Sequence, residues 1–173
     1  MTPALGTCTI NVVFSPNAIA AFTGTLTITA NVAVTGSPVS LSGTGVAPVV
    51  SAALAPSTRN FGTVPRGTST TGPVQVFTLT NTGNVTLAGI AQGALGGTNA
   101  ADYFVVRMLS TCGPAGGGQL VPQTTLVPGA SCVVTVQFRP RAAPQPTGVK
   151  NATVSVTDAA GTQTSTLTGT ANP

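Results

Sequence analysis

The chain has 173 residues, 42% hydrophobic and only 5% charged, with 21 Gly and 14 Pro. Six Lys+Arg against two Asp give a net charge of +4, and His, Glu and Trp are absent. Disorder usually needs low hydrophobicity and high net charge, and this chain has neither. General acid–base chemistry needs a group that titrates near neutrality, and a nucleophile needs an activating base. Two distant aspartates, Asp102 and Asp158, supply neither, so the chain reads as non-enzymatic. They are also too few for a calcium site, and three widely spaced cysteines without histidine fit no zinc pattern. No cofactor is implied.

Read from the start, almost every convincing segment alternates with a period of two, as a half-buried strand does. "TINVVFS" sets Ile10, Val12 and Phe14 on one face, and "GTLTITANV" sets Leu26 and Ile28 against Thr25, Thr27 and Thr29. Residues 47–58, with "APVVSAALAP", read as a linker entering a strand. "VQVFTLTNTG" follows, with Val74, Val76 or Phe77, and Leu79 before a turn at Asn81–Asn84. "GGTNAADYFVV" holds at most a short helix around Ala100–Tyr103. "CVVTVQF" then carries Val134, Val136 and Phe138, and "ATVSVTD" carries Val154 and Val156 ahead of a turn at Asp158–Gly161. "TSTLTGT" is the last strand. Such alternation marks antiparallel sheets with one wet face. The expected core is Phe61, Phe77, Leu79, Phe104, Val134, Val136, Phe138, Val154, Val156 and Leu167.

Part of this sequence is said twice. "CTINVVFSP" (Cys8–Pro16) and "CVVTVQFRP" (Cys132–Pro140) stand 124 positions apart. After a four-residue slip "TLTIT" (Thr25–Thr29) matches "TVSVT" (Thr153–Thr157), and "SLSGTG" (Ser40–Gly45) matches "TLTGTA" (Thr166–Ala171). Residues 1–46 therefore repeat only the last third of a module whose complete form is 59–173. The cysteines agree with this division. Cys112 and Cys132 flank one Gly/Pro-rich loop and suit a disulfide in an exported protein, with two free thiols in a reducing compartment as the alternative. Cys8 is the counterpart of Cys132 and is left odd, unpaired or intermolecular.

"NFGTVPRGTS…VFTLTNTGNVTL" (Asn60–Leu87), "LVPGASCVVTVQFRP" (Leu126–Pro140) and "ATVSVTDAAGTQTSTLTGTA" (Ala152–Ala171) resemble the bacterial choice-of-anchor D and ASH-type immunoglobulin-like domains, relatives of the major-sperm-protein and PapD-like sandwiches. The resemblance implies an all-β, immunoglobulin-like antiparallel sandwich of about seven strands, often found in tandem on exported or surface proteins. It implies no catalytic residues.

Half a sandwich cannot bury its own apolar face, and its outer strands carry unpaired backbone groups. Ile10, Val12, Phe14, Leu26 and Ile28 are therefore the expected assembly face. The expected partners are copies of the chain, in a homo-oligomer or filament completed by strand addition from a neighbour. Adhesion to a host surface or glycan, as a repeat of a larger surface protein, is the alternative, with the loops around "GALGGTNAAD" and "TCGPAGGGQLVPQTT" as its sites. A chaperone of the pilus type would need a basic anchor, for which Arg59 or Arg66 could be offered. Nucleic acid is not expected. Arg59, Arg66, Arg107, Arg139, Arg141 and Lys150 are spread along the sequence, and the high pI reflects missing acids. No segment reaches the ~20 apolar residues of a membrane helix. The opening "MTPALGTC" lacks the regions of a signal peptide, so an extracellular or cell-surface location implies an export signal outside this sequence or a start other than Met1.

Overall fold

A computed structural model describes residues 7–67, 72–119 and 121–173. Met1 and part of the family-like motif after Arg66 lie outside the described residues. Among these residues ten strands form. In chain order they are β1 (Ala21–Leu26), β2 (Val39–Thr44), β3 (Ala52–Ala55), β4 (Thr58–Pro65), β5 (Val74–Asn81), β6 (Ala94–Gly96), β7 (Tyr103–Val105), β8 (Ser131–Phe138), β9 (Gly148–Asp158) and β10 (Gly161–Asn172). The chain divides into two units, Met1–Ala47 and Pro48–Pro173. Residues 52–55, read from sequence as linker or first strand, are β3.

The β9–β10 hairpin shows how local chemistry sets the second unit. Asp158 pairs with Gly161 across a tip of Ala159 and Ala160. The Asp158 carboxylate accepts the Ala160 N–H at 2.7 Å, the short-range turn that Asp makes readily. Gly161 takes φ +108°, a conformation that side chains disfavour. The turn fixes register, so Ala152, Val154 and Val156 face inward together on β9.

β10 lies between β9 and β4, in a sheet of order β4-β10-β9-β6. Its pairing with β4 is parallel, with a register shift between Thr168 and Thr170. The other sheet runs β3-β5-β8-β7 and is antiparallel throughout. The inner faces of both sheets contribute to one core, including Phe77, Leu79, Val134, Val136 and Phe138 from one and Phe61, Val154, Val156 and Leu167 from the other. This is an immunoglobulin-like β-sandwich with eight strands, one more than expected, because the short β6 extends the second sheet. On β5 the buried alternation is Phe77 and Leu79, and Val74 and Val76 face outward.

Two polar devices hold the turns. Asn81 is buried at the end of β5, where its amide nitrogen donates to the carbonyls of Val85 and Leu126, each at 2.8 Å. Its side-chain oxygen accepts the Gly83 N–H at 2.9 Å. A disulfide joins Cys112 to Cys132 on β8, with Cα atoms 5.0 Å apart. The expected short helix is a single 3-10 turn, Ala100–Asp102.

One expected core residue lies outside. Phe104 is 49% exposed. β7 pairs only with β8 and is the edge of its sheet. Alternation along it turns Tyr103 inward, against Phe61 and Phe138 at centroid distances of 5.3 and 4.8 Å, and so turns Phe104 outward.

In the first unit β1 and β2 form one antiparallel hairpin. The strand expected over residues 9–15 is not formed. Its counterpart β8 is held between β5 and β7, and no described strand of the first unit stands beside residues 9–15. Alternation is present in this stretch, and the ladder partners are not. β1 also ends before Ile28, because the Ser37 hydroxyl takes its place in the pairing: it accepts the Ile28 N–H at 2.8 Å and donates to the Ile28 carbonyl at 3.1 Å.

Candidate functional site

The hairpin register of the first unit repeats that of the second. Leu26 pairs with Val39, Gly24 with Leu41 and Phe22 with Gly43, while Val154 pairs with Ser165, Ala152 with Leu167 and Lys150 with Gly169. One more contact recurs. A Cβ added at Gly169 would meet the Phe138 ring at 2.7 Å, and one added at Gly43 would meet the Phe14 ring at 2.8 Å. Phe14 thus lies over β1–β2 as Phe138 lies over β9–β10, without the strands that flank β8.

The consequence for the expected assembly face is direct. Ile10, Val12 and Phe14 are 50, 55 and 50% exposed, and their counterparts Val134, Val136 and Phe138 are each 0% exposed. Ile28 is exposed and Leu26 is half-buried. Phe14 touches Phe22 edge-on at 5.9 Å, and the two rings border an apolar hollow of about 400 Å³ with Val12, Val13 and Leu41. Cys8 is free and exposed. No Lys, Arg, Asp or Glu occurs before Arg59, so nothing on this face is charged.

A second feature was not legible in the sequence. Basic residues that are dispersed along the chain meet at one end of the second unit's sandwich. Arg139 and Arg141 flank Pro140, whose carbonyl accepts the Gly67 N–H at 2.9 Å. The adjacent Arg66 guanidinium donates to the Gln145 carbonyl at 2.9 Å. Lys150, from β9, is buried, and its ammonium donates to the Pro146 carbonyl at 2.7 Å and lies 4.0 Å from Asp102 Oδ2. Four of the six cations therefore lie at this end, and two of them, Lys150 and Arg141, stand within 4.0 Å of Asp102. Asp102 is itself buried, accepts the Arg141 backbone N–H at 2.8 Å and lies 3.9 Å from Arg141 Nε. The Tyr103 hydroxyl donates to the Lys150 carbonyl at 2.8 Å, and burial, with the nearby Asp102 charge second, raises its pKa so that it stays a donor. An open cavity of about 460 Å³ adjoins this cluster, lined by Gly67, Tyr103, Phe104, Arg139, Arg141 and Ala142. The Arg139 guanidinium lies over the Phe104 ring, 5.2 Å from its centroid.

Among the described residues no helix is long and apolar enough to cross a membrane, and no group of acidic, His or Cys side chains suits a metal ion. Arg59, the other residue considered as a basic anchor, is exposed on β4.

No family model matches the chain, and no curated protein matches its sequence. Solved structures do align. The secreted serine protease VesC from Vibrio cholerae aligns at 18% identity with a TM-score of 0.43, over 65% of this chain and 21% of the protease. The periplasmic chaperone SfaE aligns at 9% identity with a TM-score of 0.43, over 71% of this chain and 58% of the chaperone. The seventh PapD-like domain of human CEP192, an ASH-type domain, aligns at 14% identity with a TM-score of 0.41, over 70% of this chain and 84% of that domain. The chain thus spans about a fifth of the length of the protease and under two thirds of the chaperone.

Proposed function

We propose that this chain is a non-enzymatic structural protein of a self-associating extracellular or surface assembly, in which a neighbouring subunit completes the sandwich of the first unit. The observation that carries the reading is the contrast between Ile10, Val12 and Phe14, half exposed, and Val134, Val136 and Phe138, which the full sandwich buries completely. Each apolar side chain moved from water to a packed interior contributes about 1.5–3 kcal/mol, and strand addition also satisfies the backbone groups of residues 8–14. An uncharged face raises no electrostatic barrier to a second copy. The disulfide accords with an oxidising location, secreted or periplasmic.

Sedimentation velocity over a wide range of protein concentration tests the reading. The expected result is concentration-dependent association that Val12→Asp weakens about tenfold or more, since a buried unpaired charge is expensive. A chain that remains monomeric at millimolar concentration, or association indifferent to Val12→Asp, would overturn it.

A further inference from the structure

We infer that the basic end of the second unit binds a carboxylated sugar, with Phe104 and Arg139 as its platform and Arg141 as a second contact to the carboxylate. This site is independent of the assembly face. Three observations meet there. The first is charge. Asp102 is engaged by Lys150, by the Arg141 backbone and, at 3.9 Å, by the largely exposed Arg141 side chain, whereas Arg139 faces no carboxylate among the described residues. The cavity beside it is left with an excess of positive charge in a chain that has few charges at all.

The second is comparison within the chain. Where the second unit has Arg139, Arg141 and Lys150, the first has Ser15, Asn17 and Phe22, and its hairpin keeps the same register with the same Phe-on-Gly packing. The hairpin architecture does not require those cations. Lys150 has a structural task, holding Asp102 and the 146 carbonyl. Among the described residues the Arg139 side chain has no such bond.

The third is shape. Among the described residues Phe104 is the exposed aromatic ring of the second unit, and with the Arg139 guanidinium 5.2 Å from its centroid an apolar ring and a cation adjoin in the lining of the cavity. A pyranose ring can lay its C–H face on that ring and turn its carboxylate to the guanidinium, which binds planar carboxylates through paired N–H donors. A volume of about 460 Å³ lies within the range of small-ligand sites. Single-stranded nucleic acid needs successive stacking platforms along a basic groove, and here there is one ring.

The test titrates the full chain with an oligogalacturonide trimer, its methyl-esterified form and a ten-nucleotide oligo(dT), followed by amide chemical shifts and calorimetry. The expected result is saturable binding of the acidic trimer, with shifts centred on residues 104, 139 and 141. Affinity should fall about tenfold for the ester, for Arg139→Gln and for Phe104→Ala, and should weaken as salt rises, while Arg59→Gln leaves it within about twofold. The salt dependence and the ester comparison use the unaltered protein, so they read the site even if a variant folds poorly. Absence of saturable binding at about 10 mM trimer, equal binding of the ester, or stronger binding of oligo(dT) would each overturn the proposal.

Discussion

Phe138 packs so closely on Gly169 that a methyl group there would meet the ring at 2.7 Å. Its position is fixed from three sides, since Tyr103 and Phe61 hold it at centroid distances of 4.8 and 6.2 Å. Gly169→Ala should therefore destabilise the second unit by about 1–3 kcal/mol, the usual range for overpacking. Gly43→Ala makes the same intrusion under Phe14, but that ring is half exposed and has room to swing. Its cost should stay below about 1 kcal/mol. Urea unfolding of the two variants measures how much less the first copy is confined, and equal costs would contradict the difference in burial.

Lys150 and Asp102 are both buried, and the ammonium is the nearest buried cation to that carboxylate. Lys150→Met should cost about 3 kcal/mol, because it strands a charge in the interior. Arg141→Ala should cost under about 1 kcal/mol, since its side chain is largely exposed at 3.9 Å. The double variant Lys150→Met with Asp102→Leu should recover much of the loss. Equilibrium unfolding of the cycle decides it, and a simple sum of the two single losses would show that the pair is not coupled.

The disulfide closes a loop between positions 20 apart in sequence. Cys112→Ser with Cys132→Ser should lower stability by about 3 kcal/mol through the freed unfolded chain. A calorimetric scan would register this as a lower midpoint for the second unit's transition. Cys8, free and exposed, should react with a thiol reagent in the native protein without any change in that transition.

Asp158 carries the pH signature. Burial raises its pKa, and the hydrogen bond from Ala160 offsets part of the rise. The folded state thus binds this proton more tightly than the unfolded chain does. Its contribution is greatest below the ordinary aspartate range and is lost as pH climbs through the raised folded value. Asp158→Asn keeps an acceptor for the Ala160 N–H and removes the ionisation. It should flatten the stability profile in the window just above the ordinary aspartate pKa, as read by thermal midpoints between about pH 3 and 7.

Much of the second unit could be read directly from alternation. β8, β9 and β10 place Val134, Val136, Phe138, Val154, Val156 and Leu167 inward because a period of two is a local property that burial then selects. Phe104 was misread because its exposure depends on β7 being an edge, a fact of sheet order rather than of its neighbours in sequence. Residues 9–15 carry the pattern of a strand but need partners to become one. The basic cluster was invisible for a related reason. Arg66 is brought to the segment of Arg139 and Arg141 by the Gly67–Pro140 and Arg66–Gln145 bonds, between positions far apart in the chain.

The parallel pairing of β10 with β4 also bears on how the second unit comes into being. β10 is its last strand in sequence, yet it sits inside its sheet, with β4 on one side and β9 on the other. During synthesis β4 leaves the ribosome early and has no sheet neighbour until Gly161–Asn172 emerge. The first sheet, by contrast, can pair β3, β5, β7 and β8 beforehand. Closure of the sandwich is thus a terminal, long-range step, of the kind that slows folding, and a nascent chain halted short of β10 would present an open strand edge to chaperones.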